Sequence, residues 1–525
     1  MTHRELVPKK VTRDELNSLV DKAADLIRTA VDYKFILVLL FLKRVNDLSK
    51  TERDRYKQRL KKIEGMSEKE IEKEMEKADY YTFNIPRQFH WDEITKDVKT
   101  LPEKLATAIS ETAKLNTELQ GVINRVDFLE FARNQENRDL LHQLVELFNK
   151  YDLAGEEVSP DVLGDAYEHI LMKFAPERAK EGEIYTPREV IKLMVEILDP
   201  KPKDSVYDPC CGSGGMLIIS YLHLAQNPKY GEKEARKLFL YGQERNPEIY
   251  AVGQMNLLLH DIKNAHLENG DTLENPRFRD NGRLKQFDVV IANIPWNQDG
   301  YNEGRLKAVN FKDRFSFGHP PQSSADWAWI QHMLASAKED GRIAVVVDNG
   351  CLFRGGQEKV VRSKLAGKEK DWIECIILLP EKIFYNTGAP GTIIVFNRKK
   401  AEKRKNKILF INASNDFIRH PSIRRLNTLS SDNIGRIVEA YSNFSEFSGF
   451  SRAVDAKEIA KNDYNLNVSL YVMPIEEAGK ISISQVYSDL KKLEEERNSI
   501  DKELEEVLTK VAELEQHGPN SLSRY

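Results

Sequence analysis

The sequence predicts an α/β fold, a doubly wound and mostly parallel sheet, with helical segments at both ends of a 525-residue chain. Three observations lead there. Between about residues 161 and 400, short apolar runs of strand length alternate with longer amphipathic ones, and the short runs are mostly continuous in hydrophobicity, as strands covered on both faces read. Two of these runs end in motifs of chemical interest, Asp208-Pro209-Cys210-Cys211-Gly212-Ser213-Gly214-Gly215 and Asn293-Ile294-Pro295-Trp296. The flanking segments repeat their apolar residues at helical spacing instead.

Bulk properties bound the answer. The length predicts roughly three or four domains, each with ample core. A formal charge of −4 lacks the basic excess of a chain that wraps nucleic acid by itself, so any DNA contact is local or shared with a partner. Cys210, Cys211, Cys351 and Cys375 show no paired metal spacing, and no cationic, apolar leader opens the chain. A reducing, cytoplasmic setting is expected. Phe35 to Leu42 is apolar but far shorter than the roughly twenty residues of a membrane span, which predicts a buried helix.

The elements follow in order. Residues 1–155 read as a helical domain: Thr12-Arg13-Asp14-Glu15 has the form of a capping box, and Leu16, Val20, Ala23 and Ile27 follow at helix spacing. The segment Lys50 to Lys77 mixes charges of both signs at high density, the pattern of a solvated helix face. Residues 156–400 read as the catalytic domain, with a helix over Val162 to Phe174. Its strand-length runs are Ser205-Val206-Tyr207, Phe239-Leu240-Tyr241, Phe287 to Ala292, Ile343 to Val347, Ile373 to Leu379 and Thr392 to Phe396. Alternation with helices implies right-handed crossovers, with ligands outside the carboxyl ends of the strands. Residues 401–480 form a C-terminal extension. In 481–525, Val486, Leu490, Leu493, Ile500, Leu504, Val507, Val511 and Leu514 make a heptad seam broken at Arg497, on a helix ending near Gly518-Pro519. Docking on the same chain and pairing with another chain both fit that seam.

The glycine turn after Asp208 lets backbone approach a ligand without Cβ obstruction, and the helix starting near Met216 offers unpaired amides. A nucleoside or a carboxylate can sit there, and so can nothing at all. The spacing Gly212-x-Gly214-Gly215 departs from the Gly-x-Gly-x-x-Gly of dinucleotide folds, which weakens a hydride-transfer reading, and no Gly-x-x-x-x-Gly-Lys-Ser/Thr phosphate loop occurs. Glu244, after the next apolar run, can accept both hydroxyls of a ribose. Asp271 closes a third element and can accept from an adenine amino group. Cys210 follows a proline, as does the nucleophile of cytosine-C5 methyltransferases, but it lies inside the glycine turn, so both cysteines there read as packing residues.

The second motif suits a poor amine nucleophile. An exocyclic amine on an aromatic ring has its lone pair delocalised, and a site must localise it. The Asn293 oxygen and a neighbouring backbone carbonyl can accept the two amine hydrogens, Pro295 restrains the backbone, and Trp296 offers a face for an extruded base. Together the two motifs predict methyl transfer to an exocyclic amine. Between Asn297 and Ala325 a loop interleaves Lys307, Lys312, Arg314, Phe315, Phe317 and His319, the pattern of a phosphate and base clamp.

With these residues in hand, the chain resembles the modification (M) subunit of Type I restriction-modification systems, a Rossmann-like DNA adenine-N6 methyltransferase that uses S-adenosylmethionine. Further stretches carry the likeness: Asp161-Val162-Leu163-Gly164-Asp165-Ala166-Tyr167-Glu168, Gly182-Glu183-Ile184-Tyr185-Thr186-Pro187-Arg188, Tyr241-Gly242-Gln243-Glu244, Asp348-Asn349-Gly350 and Thr387-Gly388-Ala389-Pro390. The resemblance spans nearly the whole chain. It implies that Glu183, Ile184, Tyr185, Thr186, Pro187 and Arg188, with Asp208, Gly212, Ser213, Gly214, Glu244 and Asp271, surround the cofactor, and that Asn293, Pro295 and Trp296 form the amine site. It also implies double-stranded DNA as substrate, a separate specificity (S) subunit, a second copy of the M subunit and an ATP-dependent restriction (R) subunit as partners. One departure stands out: the family motif is Asn-Pro-Pro followed by an aromatic, and Ile294 replaces the first proline. Two rival readings share the residues, a protein-amide (glutamine) methyltransferase and a non-catalytic assembly module that keeps the fold.

Overall fold

A computed structural model describes residues 12–27, 32–63, 66–75, 77, 81–154, 158, 160–178, 185–367, 369–385, 387–421, 423–474 and 483–516. The helical region opens on α1 (Arg13–Ile27), whose capping box forms: Thr12 N donates to Glu15 Oε2 at 3.0 Å and Glu15 N to Thr12 Oγ1 at 3.2 Å. The four apolar residues at helix spacing are buried. The apolar run from Phe35 lies in α2 (Lys34–Ile63), with Ile36 to Leu42 in the core. Among the described residues no helix is long and apolar enough to cross a membrane.

The bundle continues through α3 (Leu101–Leu115), α4 (Gln135–Phe148) and α5 (Pro160–Arg178). The last of these lies past residue 155 yet packs with the helical region. Leu163, Ala166, Tyr167 and Ile170 of α5 share one core with Leu16, Val20 and Leu37, because α5 packs against α1 and a helix must bury its apolar stripe on the nearest open face.

The sheet has nine strands, β1 (Ser205–Asp208), β2 (Phe239–Glu244), β3 (Ala265–Asn269), β4 (Phe287–Asn293), β5 (Ala337–Asp348), β6 (Ile373–Leu378), β7 (Gly391–Asn397), β8 (Lys407–Asn412) and β9 (Ser451–Asp455). Their order is β9-β8-β6-β7-β5-β4-β1-β2-β3, parallel except at β7 and β9. All six expected strands form. The sheet does not stop at residue 400: β8 pairs in parallel with β6, Leu409 opposite Cys375, so the first strand of the expected extension completes the same layer. An apolar Ile408–Ile411 beside a buried β6 leaves no other place for its backbone polar groups.

Helices cover both faces. Val206, Val289 and Ile291 point into a core built with α6 (Arg188–Leu198), α7 (Gly215–Ala225) and α11 (Ser431–Asn443), whereas Tyr207, Val290 and Ala292 point into the opposite core with α9 (Asp326–Ala335) and α10 (Gly356–Leu365). A further helix, α8 (Pro247–Leu259), gives Val252, Met255 and Leu259 to the N-terminal helical core, which ties that bundle to the sheet.

Residues 474–525 form a separate unit. Within it α12 (Ile483–Gln516) is one continuous helix, and the Gly518-Pro519 near which it is expected to end lies outside the described residues. Leu490, Leu493, Ile500, Leu504 and Val507 of the heptad seam are 52–63 % exposed. The side chains of Val486, Val511 and Leu514 lie outside the described residues.

Candidate active site

The site begins with a reversal of strand order. β1 pairs with β2 on one side and with β4 on the other, Val206 opposite Leu240 and Val289, so the connections that leave β1 and β4 part at their carboxyl ends and open a crevice. The two motifs leave these two neighbouring strands. A cavity of about 790 Å3 lies there, with Gly212, Ser213, Glu244, Asp271, Asn293 and Pro295 in its wall.

The glycine turn adopts the left-handed backbone that L side chains resist, with φ of 51° at Gly212 and 82° at Gly214. A Cβ on Gly212 would meet nothing within 4 Å, which leaves open space on the ligand side of the turn. Gly214 caps α7. Glu244 braces the turn: its Oε2 accepts from Gly212 N at 3.0 Å and its Oε1 from Asn246 N at 2.7 Å. Asp208 is buried beneath, accepts from Cys210 N at 3.0 Å and does not line the cavity. Burial pushes its carboxyl up to about 8, with the Glu244 carboxylate adding to the rise, and burial also raises Glu244.

The turn is also fixed from behind by α8. Asn256 Nδ2 donates to Ser213 O at 2.9 Å, and a Cβ built on Gly253 would sit 2.7 Å from the Gly212 carbonyl oxygen. Gly253→Ala is therefore expected to cost about 1–3 kcal/mol of stability through overpacking, read from urea unfolding. A wild-type midpoint would mean that the turn moves aside freely.

The segment before α6 divides. Glu183 and Ile184 lie outside the described residues. Tyr185 lines the cavity and meets Tyr385 edge-on at 5.7 Å. Thr186 reaches the second motif, as given below. Pro187 is buried as the residue before α6, and Arg188 turns to α5, where it pairs with Asp165 and, at 3.1 Å, with Glu168. Neither lines the cavity, and Arg188 instead gives buried Glu168 its counter-charge.

At the second motif Asn293 closes β4 with both ends of its amide engaged. Trp296 Nε1 donates to Asn293 Oδ1 at 3.0 Å, and Asn293 Nδ2 donates to Thr186 Oγ1 at 2.9 Å. An indole N–H can only donate, so it fixes which end of the amide is oxygen. One oxygen lone pair remains free. Trp296 itself does not line the cavity: its ring packs at 4.9 Å and 70° on Phe384 and abuts Gly391, and the tryptophan in the cavity wall is Trp329. Ile294 is fully buried on the α9 side of the sheet, so the residue that replaces a proline serves the core. Cys210 is more than packing, since it lines the cavity and its Sγ donates to the Asn293 carbonyl at 3.4 Å, while Cys211 is buried.

The loop after this motif is internally tied. Arg314 is buried, donating to the Thr272 and Leu273 carbonyls and to His332 Nδ1 at 3.0 Å, and Phe315 is in the core. Those two brace the loop from inside, and Lys307 and Lys312 are exposed. Sequence reasoning missed several cavity residues: Tyr33 and Lys34 from the helical bundle, with Lys34 paired to Glu248 of α8, and Tyr301, whose hydroxyl donates to Asp271 Oδ2 at 2.5 Å and accepts from Arg245 at 3.1 Å. A tyrosine among basic loop residues was a usable signal for the last. Nothing near Tyr33 announces that a distant helix completes the pocket.

A reversed strand order, a glycine turn braced by an acid, and an amide with a free acceptor lone pair in one cavity define a nucleoside-dependent transferase of Rossmann-like architecture. Residues 158–480 match the family model for N-6 DNA methylase, and residues 16–148 match that of the HsdM N-terminal domain. The methylase subunit of the Type I restriction enzyme MjaVII from Methanocaldococcus jannaschii is 44 % identical over 517 residues, 96 % of this chain and 84 % of its own length. The corresponding MjaVIII subunit is 42 % identical over 93 % of this chain and 83 % of its own. Among solved structures, the Type I methyltransferase subunit from Streptococcus thermophilus superposes with a TM-score of 0.75 at 26 % identity, covering 88 % of this chain and all of that one. The chain belongs to the N-6 DNA methylase family, among the methylase subunits of Type I restriction enzymes.

Proposed function

We propose that this chain moves the methyl group of S-adenosylmethionine to N6 of an adenine turned out of duplex DNA. It works in the cytoplasm as the modification subunit of an assembly whose target sequence is read by a separate specificity subunit. A second copy of the chain and an ATP-dependent restriction subunit complete that assembly, with the N-terminal bundle and the 483–516 helix as contact surfaces. The observation that carries the reading is the oriented Asn293 amide opening on the same cavity as the Gly212–Ser213 turn and the acids Glu244 and Asp271.

The residues fit the cofactor. A volume of about 790 Å3 suits a ligand of nucleoside size, the open side of Gly212 admits close approach, and two acids at successive strand ends suit ribose hydroxyls and an adenine amine. S-adenosylmethionine supplies a methyl group activated by a sulfonium. Glu244 accepts from the ribose with the lone pairs left over from Gly212 and Asn246. Asp271 shares its carboxylate between Tyr301 and the cofactor adenine.

The target amine is prepared by Asn293. Its free lone pair takes one N6 hydrogen, and the Ile294 or Pro295 carbonyl takes the other, the Asn293 carbonyl being occupied by Cys210. Two accepted hydrogens draw the nitrogen toward a pyramidal shape and aim its lone pair at the methyl. Thr186 and Trp296 act by positioning the amide. Ile294 keeps a backbone carbonyl as a proline would, and its side chain is taken up by the core, which supports activity despite the changed motif.

Co-expression with the neighbouring specificity gene, followed by mapping of modified bases, is expected to find N6-methyladenine at one recurring sequence. Methylated glutamine in protein with unmodified DNA would establish the amide-directed rival, and cofactor binding without any product would establish the assembly module.

A further inference from the structure

The opposite rim of the sheet carries a second concentration of chemistry. β6 and β8 begin there and β7 ends there, so the rim lies one strand length, about 20 Å, from the motif ends. Residues 398–407, which join β7 to β8, hold seven basic side chains against one acid in a chain whose net charge is −4. A cleft of about 540 Å3 opens beside them, walled by Lys370, Trp372, Arg398, Lys399 and Lys405.

Asp371 of this cleft is already committed, and the exposed Glu369 is only loosely paired. Asp371 accepts from Lys400 Nζ at 2.5 Å and from Asn406 N at 2.7 Å, and Glu369 lies 3.6 Å from Lys364. The lysines at its mouth are held more loosely, while Arg398 is anchored by donating to the Leu334 and Ala337 carbonyls. Lys399 has only Glu339, itself 83 % exposed, at 3.7 Å, and Lys405 pairs only with the equally exposed Glu402. Ion pairs of that kind contribute little and exchange readily. Lys370 and Arg398 lie over the Trp372 ring at 5.3 and 4.8 Å, and Arg398 Nε is buried without an acceptor.

We propose that this rim is a second contact for the phosphodiester backbone of duplex DNA, remote from the pocket that takes the base. Both faces of chemistry needed for a small stacked ligand are missing, since two cations already attend the indole. The basic row continues past the cleft through exposed Lys403 and Lys407, which suits a polymer of phosphates better than one anion. Phe317, from the loop that follows Asn293, packs on Trp372 at 5.5 Å, so the rim is continuous with the segment leaving the catalytic cavity. The inference rests on the DNA reading above.

The test is the salt dependence of binding of the full chain to a fluorescent duplex. Each phosphate neutralised contributes about 0.9 to the slope of log affinity against log salt. The triple variant Lys370→Ala, Lys399→Ala, Lys405→Ala is expected to lower the slope by about 2.7, so that raising salt from about 50 to about 200 mM costs it roughly 40-fold less affinity than it costs the wild type. The matching triple lysine-to-arginine variant keeps the slope. Asn293→Ala keeps it too while losing methylation, so a failure of the methyl-transfer reading is seen separately. An alanine variant with a wild-type slope overturns the proposal. So does wild-type protein that binds no duplex, inorganic pyrophosphate bound in the cleft without effect on DNA, or loss of subunit assembly at unchanged DNA affinity.

Discussion

Asn293→Ala is expected to lower turnover by about 10²–10³-fold, the usual cost of deleting one preorganised polar contact at a reacting centre. The alanine takes away the acceptor that localises the amine lone pair, and no neighbour replaces it, because Thr186 and Trp296 face the amide with groups that serve it rather than the substrate. Folding survives. Two hydrogen bonds lost at about 1 kcal/mol each leave most of a typical stability of about 5–15 kcal/mol. Affinity for S-adenosylhomocysteine stays near wild type, since the cofactor turn hangs on Glu244 and α8. Single-turnover methylation together with calorimetry of cofactor binding reads both halves, and a variant that still methylates at the wild-type rate removes Asn293 from the chemistry.

Glu244→Ala has the opposite signature. Its carboxylate holds the amides of Gly212 and Asn246, and the alanine leaves both without their charged acceptor as well as removing the proposed ribose partner. One charge-assisted hydrogen bond is worth about 1.5–3 kcal/mol, so cofactor affinity is expected to fall by about 10- to 100-fold or more. At saturating cofactor much of the turnover returns. Calorimetric titration with S-adenosylhomocysteine checks the first statement and a rate measured against cofactor concentration the second. Unchanged affinity would place the nucleoside elsewhere in the cavity.

Much of the architecture was legible because it rests on local chemistry. The runs at 287–292 and 373–379, apolar but for Asp288 and Glu374, read as strands buried on both faces, and Thr12 with Glu15 closes a cap whatever lies around it. The limits were equally physical. β3 buries only Leu267 among Ala265–Asn269, since one edge of the sheet borders solvent, so its sequence is too polar to declare a strand. β5 starts at Ala337, six residues before its apolar run, held there by pairing of Ala337 with Phe287 rather than by its own hydrophobicity. Arg314 reads as a phosphate ligand among loop cations and is in fact buried against carbonyls.

The sequence by itself determined the fold class, the family, and the two motifs at strand ends, for these depend on residue type and short spacing. The tertiary structure decided which residues meet. Only pairing of β1 with β4 brings the glycine turn to the asparagine, only the packing of Trp296 on Phe384 turns its indole N–H onto the amide, and only the docking of α2 against α8 carries Tyr33 and Lys34 to the cavity. Contacts between residues so far apart in the chain are selected by how whole faces fill space, and no local pattern records that choice.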